Sequence, residues 1–200
     1  MRTTRSSLLT RLRDPADHAA WAEFEVLYRE LLVRYCRRRG LQAADAEDVV
    51  QLVLTGLARS LPTFSYAPER GRFRDYLSRC VANAISKWAE KKNGSSRLDT
   101  QLAETLATPE PDPRDAQLWE EEWVAHHYRI AMDTVRKSFD GKSVEIFDRS
   151  VGGAKPAELA RDFQISEQAV HKVRQRIRDR MEALIARQVR EEDALDGRPA

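Results

Sequence analysis

The spacing of apolar residues is helical along most of the chain, and it predicts an all-α protein. The clearest stretch is Ala44 to Arg59, in which a single apolar stripe is formed by Ala46, Val49, Val50, Val53 and Leu57. Asp45 is predicted to be the N-cap of this helix, and the acidic residues that follow suit the positive end of the helix dipole. We expect the stripe to be buried in a helical core.

The opposite face of the same helix is polar except for one leucine. It carries Asp48, Gln51, Leu52, Thr55 and Arg59. A stray leucine on a solvated face is common. A helix that only covers a core has no need of such a mixed face, so an interface with another protein is the alternative interpretation.

Two further helices are predicted beside this one. Residues 21–39 carry apolar residues at helical spacing, and Gly40 follows their basic last turn as a natural stop. A loop marked by proline and glycine precedes a helix from Phe73 to about Lys92. Residues 21–92 are therefore predicted to form one domain of three packed helices.

The segment 93–114 interrupts the helical pattern. It contains Gly-Ser-Ser followed by three prolines, and residues 99–122 hold eight acidic residues against one basic residue. This composition predicts a flexible acidic linker, which either avoids DNA, mimics it or is a plain solvated tether. A second helical domain is predicted over 115–190, with residues 1–20 as an N-terminal extension and 191–200 as a tail.

The second domain ends in a pattern typical of a helix-turn-helix motif. Pro156 opens a short helix, the turn Gln164-Ile165 follows, and Ser166 is placed to cap a long helix. The outward side of the long helix carries Gln168, His171, Lys172, Gln175 and Arg178, flanked by Arg174 and Arg176. An ordinary helical hairpin with a basic face is the alternative. Gln164 stands where a left-handed residue is often needed, at a cost of about 1 kcal/mol.

Composition narrows the class of protein. The chain is 42% hydrophobic and 33% charged, with a net charge of only +2. No apolar run is long enough to span a membrane, no secretion signal is evident, and the two cysteines lack metal-ligand spacing, so a reduced cytoplasmic protein is expected.

No Gly-rich phosphate loop, nucleophile elbow or His-Glu-x-x-His motif suggests an enzyme or a cofactor. His126-His127 lies near Glu122, but adjacent helical residues point about 100° apart, so no metal site is predicted.

Basic and aromatic residues alternate between Arg70 and Lys92. Seven basic residues stand against two acidic ones, together with Phe73, Tyr76 and Trp88. Such a mixture suits single-stranded or opening DNA, because cations neutralise phosphates and flat rings stack on bases. Core packing is the alternative for the aromatic residues. Asn83 is a candidate for a base-edge hydrogen bond, or for a local cap.

The order of these segments resembles the small, extracytoplasmic-function type of bacterial RNA polymerase sigma factor. Asp-Ala-Glu-Asp-Val-Val-Gln, from Asp45, resembles the region 2.2 helix of that family. Leu-Pro-Thr-Phe and the following Gly-Arg-Phe-Arg-Asp-Tyr-Leu resemble its loop and promoter-melting helix, and residues 153–180 resemble its region 4.2. The chain departs from the family pattern at Leu52, at Gln164 and at Lys155-Pro156.

The resemblance implies two helical domains without a middle domain, no catalytic activity and no cofactor. It implies that core RNA polymerase is bound, through its β′ clamp and β flap, together with promoter DNA; an anti-sigma factor is an optional further partner that the sequence does not identify. The resemblance assigns polymerase binding to Asp45, Asp48, Gln51, Leu52 and Thr55. It assigns contacts with the −10 element to Phe64, Arg72, Arg74, Arg79, Asn83, Lys87 and Trp88. It assigns contacts with the −35 element to Ser166, Gln168, His171, Lys172, Arg174, Gln175 and Arg176.

Two interpretations from other classes remain open at this point. The first is a free-standing helix-turn-helix regulator, whose N-terminal helices sense a ligand or dimerise and which binds a palindromic duplex without polymerase. The second is an adaptor that binds only proteins, which the basic face of the last helix disfavours.

Overall fold

The computed structural model describes residues 6–63, 73–92 and 112–193, and these ranges contain helices but no strand. The predicted all-α class is therefore confirmed. The helices are α1 (Ser6–Leu12), α2 (His18–Arg38), α3 (Ala43–Ser60), α4 (Phe73–Lys92), α5 (Pro113–Ser138), α6 (Gly141–Val151), α7 (Pro156–Asp162) and α8 (Glu167–Asp193), with a 3₁₀ turn at Leu61–Thr63. The contacts divide the chain into two compact units, Met1–Trp123 with Arg190–Ala200 and Val124–Val189.

The first unit is built around α3. This helix packs against both α2 and α4, and α1 packs against α2. The apolar stripe predicted for α3 is buried at every position, from Ala46 to Leu57. Its partners in the core include Phe24, Leu31, Leu32, Leu77 and Val81. The positions of apolar and polar residues along α3 therefore decide which face of the helix is buried and which faces solvent.

Gly40 ends α2 as predicted. Its φ of +90° lies in the left-handed region, which a side chain would strain. The N–H of Gly40 donates to the carbonyl of Arg37 at 3.0 Å, and the N–H of Leu41 donates to that of Cys36 at 3.2 Å. This pair of hydrogen bonds is a Schellman motif, which satisfies the last carbonyls of the helix and turns the chain toward α3.

The prediction that Asp45 caps α3 is wrong. The helix begins at Ala43, with Gln42 as its N-cap and no capping hydrogen bond from a side chain. Ala43 and Ala44 are strong helix formers, so the helix extends upstream of the acid. Asp45 lies in the first turn instead, where its carboxylate pairs with Lys92 at 3.1 Å.

The first half of α5 belongs to the first unit. Trp119 and Trp123 are each only 3% exposed and are part of the core formed by α2, α3 and α4. The Trp119 ring lies edge-on to Tyr35 at 5.1 Å, and the Trp123 ring stacks on Tyr28 at 6.1 Å. The predicted boundary between linker and second domain, after residue 114, lies inside α5, whereas the contacts divide the chain after Trp123. Most of the predicted linker, 93–111, lies outside the described residues.

The second unit contains the predicted short helix, turn and long helix, α7 and α8. Ile146, Leu159 and Val170 bring α6, α7 and α8 into one small core. A second cluster joins α5, α6 and α8 through residues that include Met132, Phe147 and Ile177. Around these cores the Arg149 guanidinium pairs with Asp162 at 2.6 Å, and the Lys142 ammonium donates to the carbonyl of Phe163 at 2.9 Å. These contacts hold α7 against α6.

The turn between α7 and α8 has the conformation that the sequence suggested. Gln164 has a φ of 52°, and it is the only non-glycine residue with a positive φ in the described part of the chain. Ser166 Oγ accepts the N–H of Ala169 at 3.1 Å, which confirms it as the cap of α8. Pro156 is the first residue of α7, where its missing N–H costs nothing.

Replacement of Gln164 by glycine is expected to stabilise the second unit. The left-handed strain of an L-residue exceeds the extra chain entropy of glycine, which leaves a net gain of roughly 0.5 kcal/mol. Gln175→Gly exchanges the same residue types inside α8 and is expected to cost about 1 kcal/mol. Thermal unfolding of both variants measures the difference, and destabilisation by Gln164→Gly would show that the turn carries no strain.

None of the described helices is both long enough and apolar enough to span a membrane.

Candidate protein and nucleic-acid interfaces

The outer face of α3 is a solvent-exposed strip. Asp48, Gln51, Leu52 and Thr55 are all exposed, and the Leu52 side chain is 42% exposed. Each of them is three residues from one of the others and four from another, so they lie on one side of the helix, opposite the buried stripe. Asp45, the fifth residue predicted for this face, is half-buried and turned toward Lys92. The strip therefore offers one apolar side chain within a polar rim, a composition suited to a protein contact.

A second surface runs along α4. Arg79, Asn83 and Lys87 are each half-buried and spaced by four residues, so they form one line along the helix. This line presents two cations and one amide, groups that bind phosphates and base edges. The predicted members Phe64 and Arg72 lie outside the described residues.

Two other residues predicted for this surface have partners within the first unit. Trp88 is half-buried against the core, and the Lys92 ammonium lies 4.6 Å from the centre of its ring. Arg74 is paired with Glu120 of α5, with its Nη2 2.6 Å from a carboxylate oxygen. Both side chains are thus anchored by contacts that the sequence alone did not indicate.

The exposed face of α8 begins at its first turn. Gln168, His171, Lys172 and Gln175 are all exposed and lie on one side of the helix. The Gln175 amide donates to Asp179 at 2.7 Å, a bond within the same helix. Ser166 is the helix cap, so its hydroxyl is occupied by the backbone. The four exposed residues present the mixture of donors and acceptors that reads base edges in a major groove.

Arg174 and Arg176 flank this face, and they differ in their surroundings. Arg174 is half-buried. The Arg176 guanidinium lies 5.1 Å from the ring centre of Phe139 and donates to Ser143 Oγ at 3.3 Å. The contacts of Arg176 therefore hold α8 against the start of α6. A structural role for this side chain could not be read from its position in the basic run.

The histidine pair is part of the second unit's interior. His126 and His127 are each 4% exposed, and His127 Nδ1 is hydrogen-bonded to Gln188 Oε1 at 2.7 Å. Within the described residues, no group of three His, Cys, Asp or Glu side chains is placed to hold a metal ion.

Burial raises the pKa of the Cys36 thiol to about 12 and that of Cys80 to about 11, so neither is a reactive thiolate at neutral pH.

Sequence reasoning missed the ion pairs between α5 and the rest of the first unit. Arg38 Nη2 lies 2.5 Å from Glu121, and Arg39 Nη1 lies 2.9 Å from Asp115. The basic end of α2 and the acidic start of α5 were both visible in the sequence. Nothing in it indicated that residues so far apart meet.

Comparison with known families identifies the first unit. Residues 26–94 match the family model of Sigma-70 region 2, which takes in most of α2 and all of α3 and α4. No curated protein and no solved structure matches the chain in these comparisons. Residues 26–94 are therefore a Sigma-70 region 2 domain, and this match supports a role as a sigma-70 family sigma factor in the initiation of transcription.

Proposed function

We propose that this protein is a sigma factor of the extracytoplasmic-function type, which binds core RNA polymerase and directs it to a specific set of promoters. The observation that carries the proposal is the outer strip of α3, exposed on a helix whose other face is fully buried, within a region 2 match. The helix-turn-helix in the second unit supports it. Residues 93–112, between α4 and α5, are too few to form a further domain, as expected for this type.

The two units divide the task of reading a promoter. The strip on α3 contacts the β′ clamp of polymerase, while the line of Arg79, Asn83 and Lys87 on α4 contacts the −10 element. Its cations bind phosphates of the opened strand, and the Asn83 amide reads a base edge. The exposed face of α8 enters the major groove at the −35 element. The second unit also contacts the β flap.

A free-standing helix-turn-helix regulator is the competing function. It would bind a palindromic duplex by itself and would have no affinity for core polymerase. The leucine at the centre of the α3 strip favours the sigma factor, because a solvated face gains nothing from it. Size-exclusion chromatography of the chain with purified core polymerase separates the two: co-elution supports the proposal, and independent elution contradicts it.

Lys172→Ala is expected to weaken binding to the −35 element by about 1–3 kcal/mol. The Lys172 side chain is exposed near the start of α8, where residues of a recognition helix reach bases or phosphates. Competition binding with duplexes that differ at single positions is the measurement. Loss of discrimination at one position would identify a base contact, whereas uniform weakening and a flatter salt dependence would identify a phosphate contact.

Lys137→Ala is the matched control, because it removes the same charge from an exposed position on α5 of the same unit. Equal losses for the two variants would mean that only overall charge matters, and α8 would then not be the reader of the −35 element.

A further inference from the structure

The first half of α5 presents carboxylates to the arginines of the first unit. Glu120 meets Arg74 with two oxygen–nitrogen distances, 2.6 and 3.4 Å. Glu121 meets Arg38 at 2.5 Å, and Asp115 meets Arg39 at 2.9 Å. The partners of these acids come from two different helices, the end of α2 and the start of α4. One short segment of helix therefore neutralises three cations of region 2.

The carboxylates are held at these positions by the tryptophans beside them. Trp119 and Trp123 lie on the same stretch of α5, where they are buried and pack on Tyr35 and Tyr28. Since the helix is anchored in the core, its acidic side chains stay opposite the arginines whether or not each single ion pair is strong. An exposed ion pair alone would be a weak constraint.

The same three arginines have the chemistry of a phosphate-binding surface. Guanidinium groups bind carboxylates and phosphates through the same forked geometry. The side chains of Arg38, Arg39 and Arg74 are 36%, 23% and 27% exposed, so each still reaches solvent. A cation that already has a carboxylate partner releases fewer counterions when a phosphate approaches, and it contributes less to binding.

We propose that Asp115, Glu120 and Glu121 are internal competitors for nucleic-acid phosphates, and that Arg38, Arg39 and Arg74 form a phosphate-binding surface which these carboxylates keep weak. The consequence is a low affinity of the isolated chain for single-stranded DNA, set by α5 and not by a lack of cations. This inference goes beyond the proposed function, because it concerns the free chain and requires no polymerase.

The test is the affinity of the full chain for a fluorescent single-stranded thymidine oligonucleotide, measured by anisotropy over a salt series. The variant Asp115→Asn/Glu120→Gln/Glu121→Gln removes the three charges and keeps the shapes and the tryptophans. It is expected to bind about tenfold more tightly at low salt, with the slope of log affinity against log salt more negative by about 2, because three freed cations now meet phosphates.

The matched control is Glu23→Gln/Glu25→Gln/Glu30→Gln on α2. These residues pair with Arg11, Arg29 and Arg34 at 3.2, 2.6 and 2.7 Å. The control removes the same charge from the first unit, but Arg11 stays paired with Asp17 at 2.8 Å and Arg29 with Glu47 at 2.6 Å. Its affinity is expected to change less than about twofold, since screened charges act weakly at a distance. An equal gain for both triple variants, or no gain for the α5 variant, would overturn the proposal.

Further substitutions keep the test decisive if the triple variant folds poorly. Glu120→Gln alone removes the closer carboxylate of Arg74, which keeps Asp75 at 3.6 Å, and it is expected to change the salt slope by at most about one third as much. Adding Arg38→Gln/Arg39→Gln to the triple variant should remove most of its gain in affinity for the oligonucleotide. If the gain persists without these two arginines, they are not part of the phosphate-binding surface, and the proposal is wrong for them.

Discussion

Replacing Gln51 and Leu52 with lysine is expected to weaken binding to core RNA polymerase by about 2–4 kcal/mol, or roughly 30-fold to 1,000-fold. The two residues lie at the centre of the exposed strip on α3, and the Leu52 side chain is already 42% exposed in the free chain. Burial of two lysines in a protein interface leaves charges without partners. The fold should be unaffected, because both residues are exposed on the face opposite the buried stripe of that helix.

The control places two lysines on another exposed face of the first unit. Ala22→Lys/Val26→Lys changes residues that are both exposed on α2, with Val26 84% exposed. Affinity measured by a pull-down or by interferometry should fall only for the α3 variant, while circular dichroism stays the same for both. Unchanged affinity of the α3 variant would show that the strip on α3 is not the polymerase interface. The main argument for a sigma factor over a free-standing regulator would then be lost.

Trp119→Ala and Trp123→Ala are each expected to destabilise the first unit by about 3–5 kcal/mol. Both indoles are almost completely buried against the tyrosines of α2, so truncation leaves a large cavity in the core. Loss of this size would be expected of a core residue and not of a residue in a tether. The experiment therefore also asks whether region 2 of this protein is complete without the start of α5.

Urea unfolding of the full chain, monitored by hydrogen exchange of α2 and α4, measures the free energy of unfolding of the first unit. Val124→Ala is the control, because Val124 follows Trp123 on the same helix and is 60% exposed. Its effect should stay within about 0.5 kcal/mol. Similar small effects for all three variants would show that α5 does not stabilise the first unit.

Local signals predicted the helices well. The buried stripe of α3, the stop at Gly40 and the Ser166 cap each depend on residues within a few positions of one another, so the sequence contains all of the relevant physics. The strained turn at Gln164 was visible for the same reason. The start of α3 was misplaced because an acidic N-cap competed with two preceding alanines, and the alanines extended the helix.

Long-range contacts could not be predicted in this way. The apolar face of α5 was evident from its spacing, but spacing does not say which core Trp119 and Trp123 enter. Arg74 and Arg176 were assigned to DNA from local charge, and their contacts with Glu120 and Phe139 depend on how distant helices meet. The exposed faces of α3 and α8 were predictable, since their side chains remain where the helical period places them.

Run-off transcription with purified core polymerase tests most directly whether this chain makes the polymerase start at particular promoters. The templates are a library of genomic fragments from the source organism, transcribed with and without the chain. We predict discrete transcripts only when the chain is present, and their loss with Gln51→Lys/Leu52→Lys. If core polymerase yields the same transcripts with and without the chain, the protein is not a sigma factor that directs initiation.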